Sequence, residues 1–201
     1  MQHKARHIGI IPDGNRRWAT QNGLRKEIGY DHGLQPGLRL LRAAKQRGIK
    51  EITYYGFTVD NCKRPKEQFE AFKNACCNAV KLIEKEDVSL YVCGNTKSNC
   101  FPSQLLPYTV KKDSPEDKMK VNFLVNYGWE WDIKNGWLSH EIPRIDMVIR
   151  WGGMRRLSGF LPLQTVYSDF YVIDDLWPTF QEKHLDDALE WYVHQDVTLG
   201  G

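Results

Sequence analysis

Residues 146–160 read Asp146-Met-Val-Ile-Arg150-Trp-Gly152-Gly153-Met-Arg155-Arg156-Leu-Ser158-Gly-Phe160. The apolar run at the start is typical of a buried strand, and it ends in an arginine. Arginine carries a permanent positive charge and a planar fork of donors that matches phosphate oxygens. Glycines allow the backbone to approach a ligand closely. The segment therefore predicts a site for a phosphate-rich ligand at the carboxyl end of a strand.

A second segment of the same kind lies near the N-terminus. Ile10-Ile11-Pro12-Asp13-Gly14-Asn15-Arg16-Arg17-Trp18 again places glycine and arginines after an apolar run. One such site would be a weak signal. Two of them, each at the end of an apolar run, indicate an enzyme that handles two phosphorylated substrates.

Short apolar runs alternate with helical patterns along the whole chain. Predicted strands are His7–Ile11, Glu51–Phe57, Val88–Cys93, Lys120–Asn126, Asp146–Arg150 and Phe170–Ile173. Amphipathic patterns predict helices at Gly33–Arg47, at Glu67–Lys85 and around Leu185–Tyr192. This alternation predicts a single α/β domain over residues 1–201, with a mostly parallel central sheet flanked by helices. Ligands of such sheets lie beyond the carboxyl ends of the strands.

Composition narrows the class of protein. Hydrophobic residues make up 41%, charged residues 26%, and the net charge is +3. So mild a charge, with no nucleic-acid motif, argues against nucleic acid as a partner. We see no apolar leader and no apolar run long enough to span a bilayer, and the five irregularly spaced cysteines fit reduced thiols. A cytoplasmic enzyme is expected.

Several motifs together resemble a known family. Asp13-Gly-Asn-Arg-Arg-Trp18 is similar to the Asp-Gly-Asn-Gly-Arg-Trp signature of the cis-prenyltransferases, typified by undecaprenyl diphosphate synthase. Phe57-Thr-Val-Asp-Asn-Cys-Lys-Arg-Pro65 resembles their Phe-Ser-x-Glu-Asn-Trp-x-Arg-Pro, and Asn126-Tyr-Gly128 falls at a third motif. The arginine-rich segment that ends at Ser158, followed by Leu176-Trp-Pro178, follows the longest signature. The motifs occur in order over almost the whole chain.

The resemblance implies a homodimer with an elongated apolar tunnel and Mg²⁺ as cofactor. It implies isoprenyl diphosphate substrates, with Asp13 and Asp169 as magnesium ligands and Asn61 and Arg64 beside Asp13 at the reacting carbons. An apolar product further suggests transient membrane contact. The resemblance assigns substrate binding to a larger group: Gly14, Asn15, Arg16, Arg17, Trp18, Lys26, Tyr30, Thr58, Arg150, Gly152, Gly153, Arg156 and Ser158.

Departures from the family pattern favour irregular condensation and a short product. Arg16 stands where glycine is usual, as in related synthases of irregular, lavandulyl-type products, and Met154 replaces an acidic residue. Thr198-Leu-Gly200 replaces an Arg-x-Gly that contacts the second diphosphate. Phe123, Leu124 and Val125 bring bulk to a strand that lines the family's tunnel. We therefore expect short, irregular condensation with a C5 acceptor.

Two alternatives remain open: regular cis elongation with isopentenyl diphosphate that stops early, and a non-catalytic partner subunit. Taken alone, Asp13 fits capping of the helix that begins near Asn15 better than metal binding, but Arg17 and the later arginine-rich motif favour the metal role.

Overall fold

The computed structural model describes residues 4–112, 115 and 117–196. Within them the chain forms one six-stranded, all-parallel sheet. The strands are β1 (His7–Ile11), β2 (Glu51–Thr58), β3 (Val88–Cys93), β4 (Met119–Tyr127), β5 (Met147–Arg150) and β6 (Asp169–Val172). All six predicted strands are confirmed, each within a residue of its predicted ends.

Helices connect the strands. The α-helices are α1 (Asn15–Gln21), α2 (Gly29–His32), α3 (Leu34–Gln46), α4 (Lys66–Ile83), α5 (Trp129–Lys134) and α6 (Glu182–Val193). Short 3₁₀ segments span Lys26–Ile28, Val59–Lys63, Ser103–Tyr108, Leu138–Glu141 and Trp177–Thr179. In the described part of the chain, no helix combines the length and apolarity that crossing a bilayer requires.

The strand order is β3-β4-β2-β1-β5-β6. β1 therefore lies between β2, which follows it in the chain, and β5, which comes much later. Ile11 at the end of β1 is level with Arg150 at the end of β5. The two arginine-rich segments thus leave the sheet side by side at its carboxyl edge, where parallel sheets bind their ligands.

The two faces of the sheet are covered differently. Apolar residues of α3, α4 and α6 pack on one face and form the larger core cluster. The other face is covered by a smaller cluster that includes Ile142, Ile145, Phe160 and Leu161, with Trp131 of α5 packed against it. The predicted single α/β domain with helices flanking a parallel sheet is confirmed.

A row of buried polar side chains crosses β1, β2 and β4 near their amino ends. His7 Nε2 lies 2.8 Å from Thr53 Oγ1, and Asn122 Nδ2 donates to Thr53 Oγ1 at 3.0 Å and to Glu51 Oε1 at 2.7 Å. Burial lowers the pKa of His7. Because buried polar groups need partners, this row fixes the side-chain arrangement across three strands.

Candidate active site

An ion pair between Asp13 and Arg150 joins the two arginine-rich segments. Arg150 Nη2 donates to Asp13 Oδ2 at 2.9 Å, across 137 positions of sequence. Arg150 is 5% exposed, whereas the side chain of Asp13 is 34% exposed. The pairing follows from the sheet, because Ile11 and Arg150 are register partners on neighbouring strands.

Arg17 approaches the same carboxylate from α1. Its Nη2 lies 3.4 Å from Asp13 Oδ1. The guanidinium passes directly over Gly152, where a Cβ atom would come within 2.3 Å of Nη2. Gly152 also has a φ of +85°, which favours glycine. The glycine is therefore needed to let Arg17 reach the carboxylate.

Arg150 is anchored on its other side by the segment that follows β5. Its Nη1 donates to the backbone oxygen of Arg156 and to Ser158 Oγ, the latter at 2.9 Å. Ser158 has a left-handed backbone with a φ of +53°, and Tyr55 Oη donates to its carbonyl at 3.0 Å. A non-glycine residue in this conformation is strained, and such strain is typical of functional sites.

Buried polar atoms in this region still have unused hydrogen-bonding capacity. Among the described residues, Arg17 Nη2, Arg150 Nε and Asn15 Oδ1 are buried and have no hydrogen-bond partner in the protein. Each such group is costly unless a ligand or water satisfies it. The two guanidinium donors fit an anion.

Asp13 does not cap the helix that follows it. The residue at the N-cap of α1 is Gly14, with a φ of +112° and no side-chain cap. A Cβ atom on Gly14 would come within 3.1 Å of the backbone of Leu176, so glycine is required there as well. The capping alternative for Asp13 is wrong, and its carboxylate pairs with arginines instead.

Tyr30, Arg64 and Phe72 form a second cluster on the other side of the cleft. Arg64 Nη1 donates to Tyr30 Oη at 2.7 Å, and its guanidinium carbon lies 5.2 Å from the centre of the Phe72 ring. Tyr30 stacks on Phe72 with ring centres 4.5 Å apart. Burial raises the pKa of Tyr30, although Arg64 opposes this, so the phenol stays neutral at physiological pH.

Thr58 and Asn61 shape the turn between these clusters. Asn61 Oδ1 accepts from the backbone N–H of Thr58 at 2.9 Å, which closes the start of the 3₁₀ segment that leads to Arg64. The turn is thus held by the side chain of a residue that lines the cleft.

The polar cleft has a volume of about 700 Å³, and an apolar cavity of about 90 Å³ adjoins it. Tyr30, Tyr55, Gly56 and Phe72 line both spaces. The cavity continues between the sheet and α3 and α4, and its wall includes Phe123. An anionic head group in the cleft would therefore place an attached apolar tail at the cavity. The elongated form of the predicted tunnel stays a prediction.

An aromatic pair stands beside this cavity. Trp151, which directly follows Arg150, and Trp177 meet edge to face with ring centres 4.8 Å apart. Both rings are almost fully buried. Trp177 lines the cavity, and its Nε1 donates to the carbonyl of Gly33 at 2.9 Å.

Most of the residues predicted for the site come together in this cleft. Its lining includes Asp13, Gly14, Asn15, Arg16, Arg17, Lys26, Tyr30, Thr58, Asn61, Arg64, Arg150 and Ser158. Four predicted substrate-binding residues do not line it. Trp18 packs its ring against His32 at 4.4 Å, and the side chain of Arg156 is exposed to solvent. Gly152 and Gly153 contribute backbone behind Arg17 and beside Asp174.

The assignment of Asp169 as a magnesium ligand stays a prediction, and within one chain its position is remote from Asp13. Asp169 begins β6 and is level with Met147 and Ile8, so it lies at the amino edge of the sheet. From this level to Ile11 at the end of β1 is three residues, roughly 10 Å, and β6 lies two strands away from β1, roughly another 10 Å sideways. A single ion cannot reach both carboxylates.

Other cleft residues were missed by the sequence analysis. Tyr55, Gly56, Thr20, Gln21 and Phe72 also line the cleft. Thr20 and Gln21 lie four positions after Arg16 and Arg17, so helical periodicity could have placed them there. Phe72 belongs to the apolar face of α4, and nothing in that pattern distinguishes a lining residue from a core residue.

Comparison with known proteins shows which family this chain belongs to. The model of the family described as putative undecaprenyl diphosphate synthase matches residues 11–140 and 136–200. The chain belongs to this cis-prenyltransferase family. It is 30% identical to the ditrans,polycis-undecaprenyl-diphosphate synthase ((2E,6E)-farnesyl-diphosphate specific) of Escherichia coli (strain K12), over 99% of this chain and 91% of the relative.

Two further similarities agree with the family. An isoprenyl transferase of Fusobacterium nucleatum is 32% identical over 98% of this chain and 96% of its own length. The lavandulyl diphosphate synthase of Lavandula x intermedia, solved in complex with dimethylallyl diphosphate, superposes with a TM-score of 0.80 at 23% identity. That match covers 98% of this chain and 99% of the plant enzyme, and it shows that the two share a fold. As a member of this family, the protein is a prenyltransferase.

Proposed function

We propose that this prenyltransferase condenses small isoprenyl diphosphates into a short-chain product, and that the condensation is irregular rather than head-to-tail. An allylic diphosphate, such as dimethylallyl, geranyl or a longer diphosphate, is the donor, and a C5 diphosphate is the acceptor. The allylic C–O bond breaks and diphosphate leaves. The double bond of the acceptor then forms the new C–C bond, and a proton is lost.

The observation that carries the short-chain proposal is the size of the apolar cavity. It measures about 90 Å³, against about 700 Å³ for the cleft that receives the charged groups. The rings of Phe123 and Tyr54 line it, with centres 6.2 Å apart. Because protein interiors are close-packed, these rings leave little space for a growing tail.

The cations of the cleft supply the electrostatic part of the chemistry. Within the described residues, Arg150 and Arg17 each have a buried donor without a hydrogen-bond partner, which suits binding of a diphosphate before and after the C–O bond breaks. Asn61 and Arg64 line the same cleft, where the Arg64 guanidinium carbon lies 5.2 Å from the centre of the Phe72 ring. Donors that are already in place stabilise the charge that develops on the leaving group without reorganisation.

Magnesium is the proposed cofactor, and the residues present fit it. Mg²⁺ is usually held by one or two carboxylates together with the phosphates of the substrate. Asp13 supplies one carboxylate in the cleft, and the described residues contain no cluster of three or more His, Cys, Asp or Glu that could hold a metal ion alone. When bound, the ion would neutralise charge on the departing diphosphate.

Irregular condensation is supported by Arg16, which lines the cleft beside Arg17 and donates to Gln68 at 3.3 Å. It adds a cation where the family motif has glycine. The second candidate is regular cis elongation with isopentenyl diphosphate that ends early. The names of the curated relatives, which are synthases of a long cis-prenyl product, favour it.

A turnover assay with Mg²⁺ separates the two candidates. The protein would receive dimethylallyl diphosphate alone, or geranyl diphosphate with either dimethylallyl or isopentenyl diphosphate. Mass spectrometry and NMR would then give the chain length and connectivity of the product. We expect a branched product without isopentenyl diphosphate. Products that are exclusively head-to-tail would overturn the proposal of irregular condensation. Long-chain products would overturn the proposal of a short-chain product.

A further inference from the structure

We propose that the Asp13 ion-pair cluster, defined as Asp13, Arg17 and Arg150, makes metal binding depend on diphosphate binding. Asp13 becomes available to a divalent cation when a diphosphate takes over the two guanidinium groups. The inference rests on the proposed function, because it concerns the order in which the same site is filled.

Both oxygens of the carboxylate are already engaged in this cluster. Oδ2 accepts from Arg150 Nη2 at 2.9 Å, and Oδ1 lies 3.4 Å from Arg17 Nη2. A magnesium ion needs its ligand oxygen at about 2.0–2.1 Å. At that distance the ion would lie beside two guanidinium groups, which are also positively charged. The arginines and the ion therefore compete for one carboxylate.

The charge around the cluster favours an anion over a cation. Lining the cleft are five cationic side chains, Arg16, Arg17, Lys26, Arg64 and Arg150, and two carboxylates, Asp13 and Asp60. Asp60 is itself paired with Lys63 at 2.7 Å. A positive cleft raises the local concentration of diphosphate and lowers that of a divalent cation. The first species to enter is therefore the diphosphate.

The geometry also provides for the exchange. In the described part of the chain, Arg150 Nε is buried without a hydrogen-bond partner, so a diphosphate can satisfy a donor that Asp13 leaves unused. Arg17 Nη2 also lacks a hydrogen bond and has only the 3.4 Å ion contact with Asp13. Arg150 Nη1 is held by Ser158 and by the carbonyl of Arg156. Only Nη2 has to change its acceptor, and the remaining contacts keep the guanidinium in place while Asp13 is released.

Because Arg150 is buried, its ion pair with Asp13 is strong enough to compete with a metal ion. Exposed ion pairs are screened by solvent and contribute little, but Arg150 is only 5% exposed. Removing the arginine should therefore free the carboxylate for a cation, whereas removing an exposed arginine elsewhere should not.

The test measures Mn²⁺, a paramagnetic substitute for Mg²⁺, by electron paramagnetic resonance in the absence of any diphosphate. We expect weak binding to the wild-type protein and binding about tenfold tighter or more in Arg150→Gln and Arg17→Met, since a charged hydrogen-bond partner is removed. Adding Asp13→Asn to either variant should abolish the gain. Arg144→Gln, at an exposed arginine that donates to the carbonyl of Tyr167, is the matched control and should behave as wild type.

Two results would overturn the proposal: wild-type binding as tight as in both arginine variants, or a gain that survives Asp13→Asn. Circular dichroism and thermal unfolding establish that each variant is folded. If Arg150→Gln does not fold, Arg17→Met decides, because its side chain is 42% exposed. If neither the wild-type protein nor any variant binds Mn²⁺, even with dimethylallyl diphosphate present, the metal role in the proposed function fails as well. Product formation in the turnover assay distinguishes that case from failure of the enzyme activity itself.

Discussion

At the scale of single residues, the site depends on Asp13 more than on any cation around it. Several cations surround the carboxylate, so loss of one leaves others, but Asp13 is the one carboxylate among the described residues that pairs with both Arg17 and Arg150. Sequence reasoning could place Asp13 and Arg150 at the same edge, because each follows a predicted strand. It could not predict their direct contact. That contact depends on β1 and β5 being adjacent in the sheet, which neither segment reveals by itself.

Asp13→Asn is expected to lower kcat by at least about 100-fold, as removal of one preorganised electrostatic group does in other enzymes. The amide keeps the shape of the side chain but loses its charge, so the fold should remain intact. Asp60→Asn is the matched control, because Asp60 lines the same cleft but pairs with Lys63 in solvent. Steady-state kinetics with Mg²⁺ would check this, and near-normal activity of Asp13→Asn would contradict its assigned role.

Phe123 provides a second test at this scale. Phe123→Ala should enlarge the apolar cavity and shift the product mixture toward longer chains, because the ring lines the cavity wall. Leu124→Ala is the control, since Leu124 is buried on the opposite face of the same strand. Both substitutions should destabilise the protein by about 2–5 kcal/mol. An unchanged product length in Phe123→Ala, with the fold intact, would mean that another wall limits the chain.

At the scale of elements, the strands were predictable because a buried parallel strand needs an apolar run of five or so residues. The position of Asp169, remote from Asp13, follows from the direction of β6. The predicted strand at Phe170–Ile173 already placed Asp169 before its amino end, whereas ligands of such sheets lie at the carboxyl end. The Thr198–Gly200 departure lies outside the described residues.

The buried polar row across β1, β2 and β4 predicts a dependence of stability on pH. Burial lowers the pKa of His7 in the folded state, so below pH ~6.5 the unfolded chain takes up a proton more readily than the folded one. The free energy of unfolding should therefore fall as the pH drops below about 6.5, until the folded-state pKa is also passed.

Urea unfolding at a series of pH values between neutral and mildly acidic would measure this effect. His7→Gln should flatten the dependence, whereas His140→Gln, at an exposed histidine, should leave it unchanged. If His7→Gln keeps the wild-type slope, the acid sensitivity arises elsewhere.

At the scale of the whole molecule, the homodimer that the resemblance implies stays a prediction. One exposed apolar surface is a candidate for the dimer interface. Trp129, Ile133, Trp137 and Leu138 are large apolar side chains, each 40–45% exposed, on α5 and the segment after it. Clustered exposure of this kind often marks an interface. We expect light scattering to give twice the 23.4 kDa mass of one chain.

Ile133→Glu should then yield a monomer, because a charge at an apolar interface is costly. Leu106→Glu is the control, since Leu106 is 46% exposed but lies in the separate segment Ser103–Tyr108. A monomeric wild-type protein would show that the homodimer expectation is wrong. A dimer that survives Ile133→Glu would place the interface on another surface.

The edge-to-face pair of Trp151 and Trp177 has an optical consequence. These two indoles are 0% and 2% exposed, whereas Trp129 and Trp137 are 45% and 40% exposed. Shielded indoles fluoresce at shorter wavelengths than indoles in water, so the blue side of the emission comes mainly from the buried pair. Trp177 lines the apolar cavity, and Trp151 directly follows Arg150. We therefore expect the intensity of that blue emission to change when a ligand fills the cavity beside Trp177, without a label.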